Sequence, residues 1–319
     1  MAEGESSEEE LTPEQQSLVE LIARVISHVA NEPILFAQYE ARQHDKFARL
    51  WPAGGGRVMQ QRLDEVALHL GGPPRLYILR HGENPPPEDG FPGAALQEVL
   101  AVFSRARGAV LRAHMDVVGT GMLEKNPEFL PMPKDDAAIM RKRWDEAFWE
   151  HAEMAYIRLA SYWDRVGQVL NFAYFNLRSF KHEGFQSVMD RIHDNVAKMD
   201  SHFAERGCWT RLRAFQCSTK DDGYKWLQER RNLVVHSLHL QPIAPDDESN
   251  FGESGEPDTD TVFTSQFNHL DHAHREKLRP RAPAGEVTLL MDHLGQAAKL
   301  FPDFLALIEA APSKKRDRF

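Results

Sequence analysis

Apolar residues recur at intervals of three and four through most of the chain, and the stretches that break this rhythm are rich in proline and glycine. Thr12-Pro13-Glu14 has the form of an N-cap, a first-turn proline and a first-turn acid ahead of "QQSLVELIARVISHVA", which predicts a helix. The turn-rich "WPAGGGR" (51–57), "GGPP" (71–74) and "NPPPEDGFPG" (84–93) then separate short segments, one of which, "RLYILR" (75–80), has the composition of a strand. Helical spacing returns over residues 94–114. The proline-rich "KNPEFLPMPKDD" (125–136) is expected to divide an N-terminal accessory region, residues 12–130, from the C-terminal part of the chain.

From Asp135 to about Leu177 there is no proline and a single glycine. Trp144, Phe148, Ala152, Ala155, Leu159, Trp163, Val166, Leu170 and Ala173 form the apolar stripe of one long helix or two nearly continuous ones. Two more helices are predicted over 183–205 and over "DGYKWLQERRNLVVHSLHL" (222–240), the latter ended by Pro242. A closing helix over 286–311 is expected to break at Pro302. The fold class is therefore all-α, with a helical bundle at 136–311 behind an irregular, mostly helical N-terminal region. No internal repeat or sustained heptad is present.

The net charge of -10 at pH 7 argues at first against a nucleic-acid partner, but its distribution matters more than its sum. Residues 3–10 carry five acids and residues 245–260 carry seven with no base, which leaves the rest of the chain slightly positive. Both segments read as disordered: an acidic tail at 1–11 and an insertion at 245–260. A short basic tail, 312–319, ends the chain. Between Glu205 and Arg231 seven bases stand against four acids, with Trp209, Tyr224 and Trp226 interleaved, so a local anion site is compatible with the pattern. Cys208 and Cys217 fit neither a disulfide framework nor a Cys-x-x-Cys pair and read as free thiols. With no long apolar run and an acidic N-terminus, the chain is expected to be soluble and cytoplasmic, without a membrane partner.

Three motifs compete for the chemistry. "LYILRHGEN" (76–84) resembles the strand-end Arg-His-Gly of histidine phosphatases, and Arg80-His81-Gly82 is retained as a weaker alternative. That fold requires a parallel sheet, whereas the chain downstream lacks alternating strands and helices, so a surface turn is the plainer reading. "HLDHAH" (269–274) offers His269, Asp271, His272 and His274 at intervals of three and two. Helical zinc motifs place histidines four apart, so a solvated segment is expected, with no metal or other cofactor.

The third motif is "ERRNLVVHSLH" (229–239). On a helix Asn232, His236 and His239 lie at i, i+4 and i+7 and share a face, with Arg231 about 100° away. Leu227, Val234, Val235 and Leu238 are expected to turn toward the bundle. Arg231-Asn232-Leu233-Val234-Val235-His236 resembles the Arg-x(4–6)-His motif of the HEPN superfamily, in which Asn, Asp or His typically follows the arginine. Arg62/His69, Arg75/His81 and Arg107/His114 also have permitted spacings, but only Arg231 is followed by a polar Asn late in an amphipathic helix preceded by two long ones. Asp164, in "SYWDRVGQVLNF" (161–172), matches the acid often found near the motif in such bundles.

The resemblance, which covers roughly residues 136–240, implies a metal-independent endoribonuclease acting as a homodimer, often in a toxin or defence system held silent by an inhibitory partner protein. By that analogy His236 is the general acid or base, Arg231 stabilises the scissile phosphate and Asn232 orients one of them. Lys225, Arg230 and His239 are candidates for the wall of the RNA groove by position alone. The competing class is a non-catalytic helical interaction or nucleotide-binding module, in which the same side chains hold helices together.

Overall fold

The computed structural model describes residues 12–52, 55–70, 90–125, 134–175, 177, 184–236 and 281–311, and among them every regular element is a helix. α1 (Pro13–Arg42) starts as its sequence dictates: Thr12 Oγ1 accepts from the Gln15 amide (3.3 Å) and Gln15 Oε1 accepts from the Thr12 amide (2.8 Å). α2 (His44–Ala48) and α3 (Gly55–Leu70) come next. The segment expected to hold a strand, 75–80, lies outside the described residues, as do the acidic tail, the 245–260 insertion and the basic C-terminal tail.

Two long helices, α4 (Phe91–Lys125) and α5 (Lys134–Phe175), form the spine. They run antiparallel, since Asp116 meets His151 (2.6 Å), Phe103 meets Tyr162 (ring centroids 5.5 Å apart) and Phe91 meets Phe172 (4.9 Å). The apolar stripe of α5 is buried along its length from Trp144 to Ala173, and the facing stripe of α4 supplies Leu96, Val99, Phe103, Ala106 and Val110. One hydrophobic core joins α1, α3 and α4 to the C-terminal helices. The proline-rich connection at 125–136 therefore links helices that pack against each other.

The helix expected over 183–205 is broken: α6 (Phe185–Ile192) runs into a π-helical turn at His193–Ala197, and α7 (Ser201–Ala204) restarts the chain where Asp200 accepts from the Phe203 amide (3.1 Å). α8 (Gly207–Cys217), which the apolar pattern did not single out, precedes α9 (Tyr224–His236). α10 (Pro283–Glu309) passes through Pro302 without interruption. Pro302 is exposed while Leu300, Phe301, Phe304 and Leu305 around it are buried, so packing on the core side holds a helix that the lost backbone donor alone would end. Phe301 reaches Phe103 and Tyr162 at the centre, and Tyr174 donates to the Leu307 carbonyl (2.7 Å).

α6 crosses α5 closely because residue 167 is glycine: a β-carbon there would stand 2.7 Å from Phe185 Cα and 2.9 Å from its nitrogen. Gly167→Ala, which in an isolated helix would be favourable, should here destabilise the protein by about 1–3 kcal/mol as overpacking does. Urea unfolding monitored by circular dichroism measures this; an unchanged or raised midpoint contradicts it.

Candidate functional site

α9 packs on α5 through Tyr224, Trp226, Leu227, Arg230 and Leu233, positions that share one side of the helix and are all buried. A charged residue thus occupies the centre of the core-facing stripe. Arg230, expected on the groove wall, is instead fully buried, because helical spacing from Trp226 and Leu227 carries it inward and an acid on α10 awaits it. Glu286, also fully buried, accepts from the Arg230 guanidinium, from the Tyr156 hydroxyl (2.8 Å) and from the Arg281 amide (3.3 Å). The Arg230 guanidinium lies over the rings of Trp226 (5.1 Å) and Tyr156 (5.5 Å). Burial pulls the guanidinium below its ordinary value and pushes the Tyr156 hydroxyl up to about 12.

With Arg230 fixed inward, its neighbour is carried about 100° round the helix to the edge. Arg231 is half-buried there, and its Nη1 donates to Asn232 Oδ1 (3.0 Å), while Asn232 itself is exposed. Lys225 is half-buried on the same helix. Val235, expected to face the bundle, is 43% exposed, and Leu233 takes the inward position. The backbone of α9 ends at His236, whose side chain is outside the described set; Leu238 and His239 are outside the described residues altogether.

Asp164 of α5 lies near this edge, close enough for its carboxyl to feel the Arg231 charge. Burial holds that carboxyl above its usual range, and the Phe185 amide, Arg231 and Arg165 oppose the shift in that order. Asp164 Oδ1 accepts from the Phe185 amide (3.4 Å), so it also closes the first turn of α6. The Tyr224 hydroxyl is raised by its own burial and then by Asp164. The structure therefore brings Arg231, Asn232 and Asp164 to one edge where α5, the start of α6 and α9 meet.

The basic stretch before α9 is partly neutralised. Arg211 holds Asp303 through two hydrogen bonds (2.8 and 2.6 Å), and Arg213 pairs with Asp190. Among the described residues Arg206, Lys220, Lys225 and Arg231 make no ion pair. The arginines of the two described competing pairs are held by carboxylates: Arg62 bonds to Glu65 and Glu309, and Arg107 to Glu40 (2.7 Å) beside the Trp51 ring. His114 is buried between Tyr39 (2.5 Å to Nδ1) and Lys46 (2.7 Å to Nε2). Arg75/His81, with Arg80 and Gly82, and the histidines of 269–274 lie outside the described residues. Reasoning from sequence missed Glu286; the available signal was an acid at a core position of α10, in register with Leu290, His293 and Ala297.

Comparisons of the chain with protein-family models, with curated proteins and with solved structures find no match. Among the described residues no helix is long and apolar enough to cross a membrane, and no group of three or more His, Cys, Asp or Glu side chains is placed to hold a metal ion. Cys208 and Cys217 are free thiols.

Behind the Arg230 pair, His293 of α10 stacks on Trp226 (centroids 5.5 Å, 23° between planes) and is 1% exposed. Burial drives it down to about 4, with the Asp222 and Asp221 carboxylates opposing and Arg230 assisting. The folded state therefore binds fewer protons here than the unfolded chain between about pH 4 and the ordinary histidine value near 6.5. The stability this contributes is complete above about 6.5 and is lost as pH falls. Relative to His293→Phe, the wild-type protein should lose about 2 kcal/mol of unfolding free energy between pH 7 and pH 5. Denaturant titrations of both proteins at the two pH values check this; parallel behaviour contradicts it.

Proposed function

We propose that this protein is a metal-independent endoribonuclease of HEPN type, acting as a homodimer. The observation that carries the reading is the edge of α9, where Arg231 sits free of any ion pair among the described residues, beside exposed Asn232 and near Asp164, five residues ahead of His236. The other arginines of matching spacing that the structure describes are held by carboxylates. In this reading His236 removes the proton of the ribose 2′-hydroxyl as that oxygen attacks phosphorus, or protonates the departing 5′-oxygen; two copies of the motif in a dimer allow both roles. Arg231 holds the phosphate and its developing charge, and Asn232 orients the guanidinium to which its amide oxygen is already bonded. Lys225 adds a cation to the groove. A toxin or defence role restrained by a partner protein is consistent with such an activity.

One feature favours the second reading, a non-catalytic helical interaction module: Asp164 already has a structural task at the start of α6. RNA cleavage in excess EDTA separates the two. The ribonuclease reading expects cleavage by the purified protein, with His236→Ala and Arg231→Ala each reducing the rate by about 100-fold or more while the helical circular dichroism is retained. Intact RNA with wild-type protein, or undiminished cleavage by both variants, overturns it.

A further inference from the structure

A groove opens between α4 and α5, one residue along α5 from Asp164. On α4, Phe91, Ala95 and Glu98 lie at i, i+4 and i+7; on α5, Arg165, Gln168 and Val169 lie at i, i+3 and i+4, so each helix turns one face into the gap. The small side chains of Ala94 and Ala95 opposite Val169 leave a cavity of about 160 Å³ where larger residues would close the helix pair. Its floor is apolar, and Phe91 is held there edge to face by Phe172, with ring centroids 4.9 Å apart. The polar groups are gathered at the rim. Arg165 Nη1 donates to Gln168 Oε1 (2.7 Å), and Arg165 Nε stands 3.9 Å from Glu98 Oε1.

We infer that this groove is a nucleobase pocket whose rim matches guanine. An apolar slot with an aromatic wall suits the face of a planar base, which stacks on aromatic rings and guanidinium planes. The rim sets a carboxylate acceptor beside guanidinium and amide donors. Guanine is the RNA base that presents two adjacent donors, N1–H and N2–H, next to an acceptor, O6. Glu98 accepts the two donors, and Arg165 or the Gln168 amide donates to O6. Adenine, cytosine and uracil each lack the paired donors and leave Glu98 partly unsatisfied. The Arg165–Glu98 pair is 41% and 46% exposed, so it contributes little to folding and exchanges its contacts for those of a ligand at small cost.

The placement joins this pocket to the edge of α9, since the Asp164 carboxyl senses both Arg165 and Arg231. A strand running from the Arg231 edge to the groove would follow this stretch of α5, where Asp164 precedes Arg165. That route along the strand rests on the ribonuclease reading; the binding of guanine does not.

Equilibrium dialysis of the full chain against guanosine, adenosine, cytidine and uridine tests the pocket without requiring cleavage. Guanosine should bind roughly tenfold or more tightly than the other three. Glu98→Gln, which puts an amide donor against N1–H or N2–H, should remove the preference while leaving the weak binding of the others, and Ala95→Leu should reduce binding of all four. Both replacements lie on the groove surface, and melting curves confirm that each variant is folded. Equal binding of the four nucleosides, no binding at millimolar concentration, or a preference that survives Glu98→Gln overturns the proposal. A guanosine preference in a protein that leaves RNA intact upholds the pocket and overturns the ribonuclease reading. Cleavage without any nucleoside preference does the reverse.

Discussion

The buried ion pair between Arg230 and Glu286 sets the rotation of α9, and much of what the molecule presents at its surface depends on that rotation. Two charges taken out of water gain little in net stability over an apolar pair of the same size, but each is costly to leave alone. Here both are engaged: Glu286 has Arg230, the Tyr156 hydroxyl and the Arg281 amide, and Arg230 lies between two aromatic faces. A helix turned by one residue would carry Arg230 out of reach and place Arg231 or Glu229 against Tyr156. The pair therefore acts as a register device, joining α5, α9 and α10 at one point.

That fixed rotation creates the edge. Arg231 and Asn232 fall on the boundary between core and solvent, where the guanidinium lies near Asp164 and, among the described residues, forms no ion pair. Asp164 contributes from α5, held in place by the start of α6, and Gly167 one turn later lets α6 approach closely enough for the Phe185 amide to reach that carboxylate. The next residue, Arg165, faces the groove with Glu98. One segment of α5 thus bonds to the start of α6, lies near the motif and lines the candidate base pocket.

The main helices were legible because their causes are local or periodic. Thr12 and Pro13 announce α1, and the stripe from Trp144 to Ala173 is long enough that no other structure buries it. The departures have one local cause and two tertiary ones. The apolar stripe over 183–205 continues through Asp200, but that side chain caps a new helix instead of extending the old one. Pro302 reads as a break, yet the buried residues on both sides keep α10 whole. Arg230 reads as one more surface cation beside Arg231, and nothing nearby in the sequence reveals that its partner stands 56 residues away. The Arg/Asn/His spacing was visible, as was Asp164; which of the two adjacent arginines faces outward was fixed only by packing.

The position of α9 rests most directly on the coupling between Arg230 and Glu286. A double-mutant cycle with Arg230→Met, Glu286→Leu and the combined variant, read as unfolding free energies in urea, isolates that coupling. The prediction is that each single replacement costs about 3–5 kcal/mol, since it leaves a buried charge unpaired, and that the double variant recovers most of the loss. Single effects below about 1 kcal/mol that add without coupling would contradict the claim that this pair sets the position of α9.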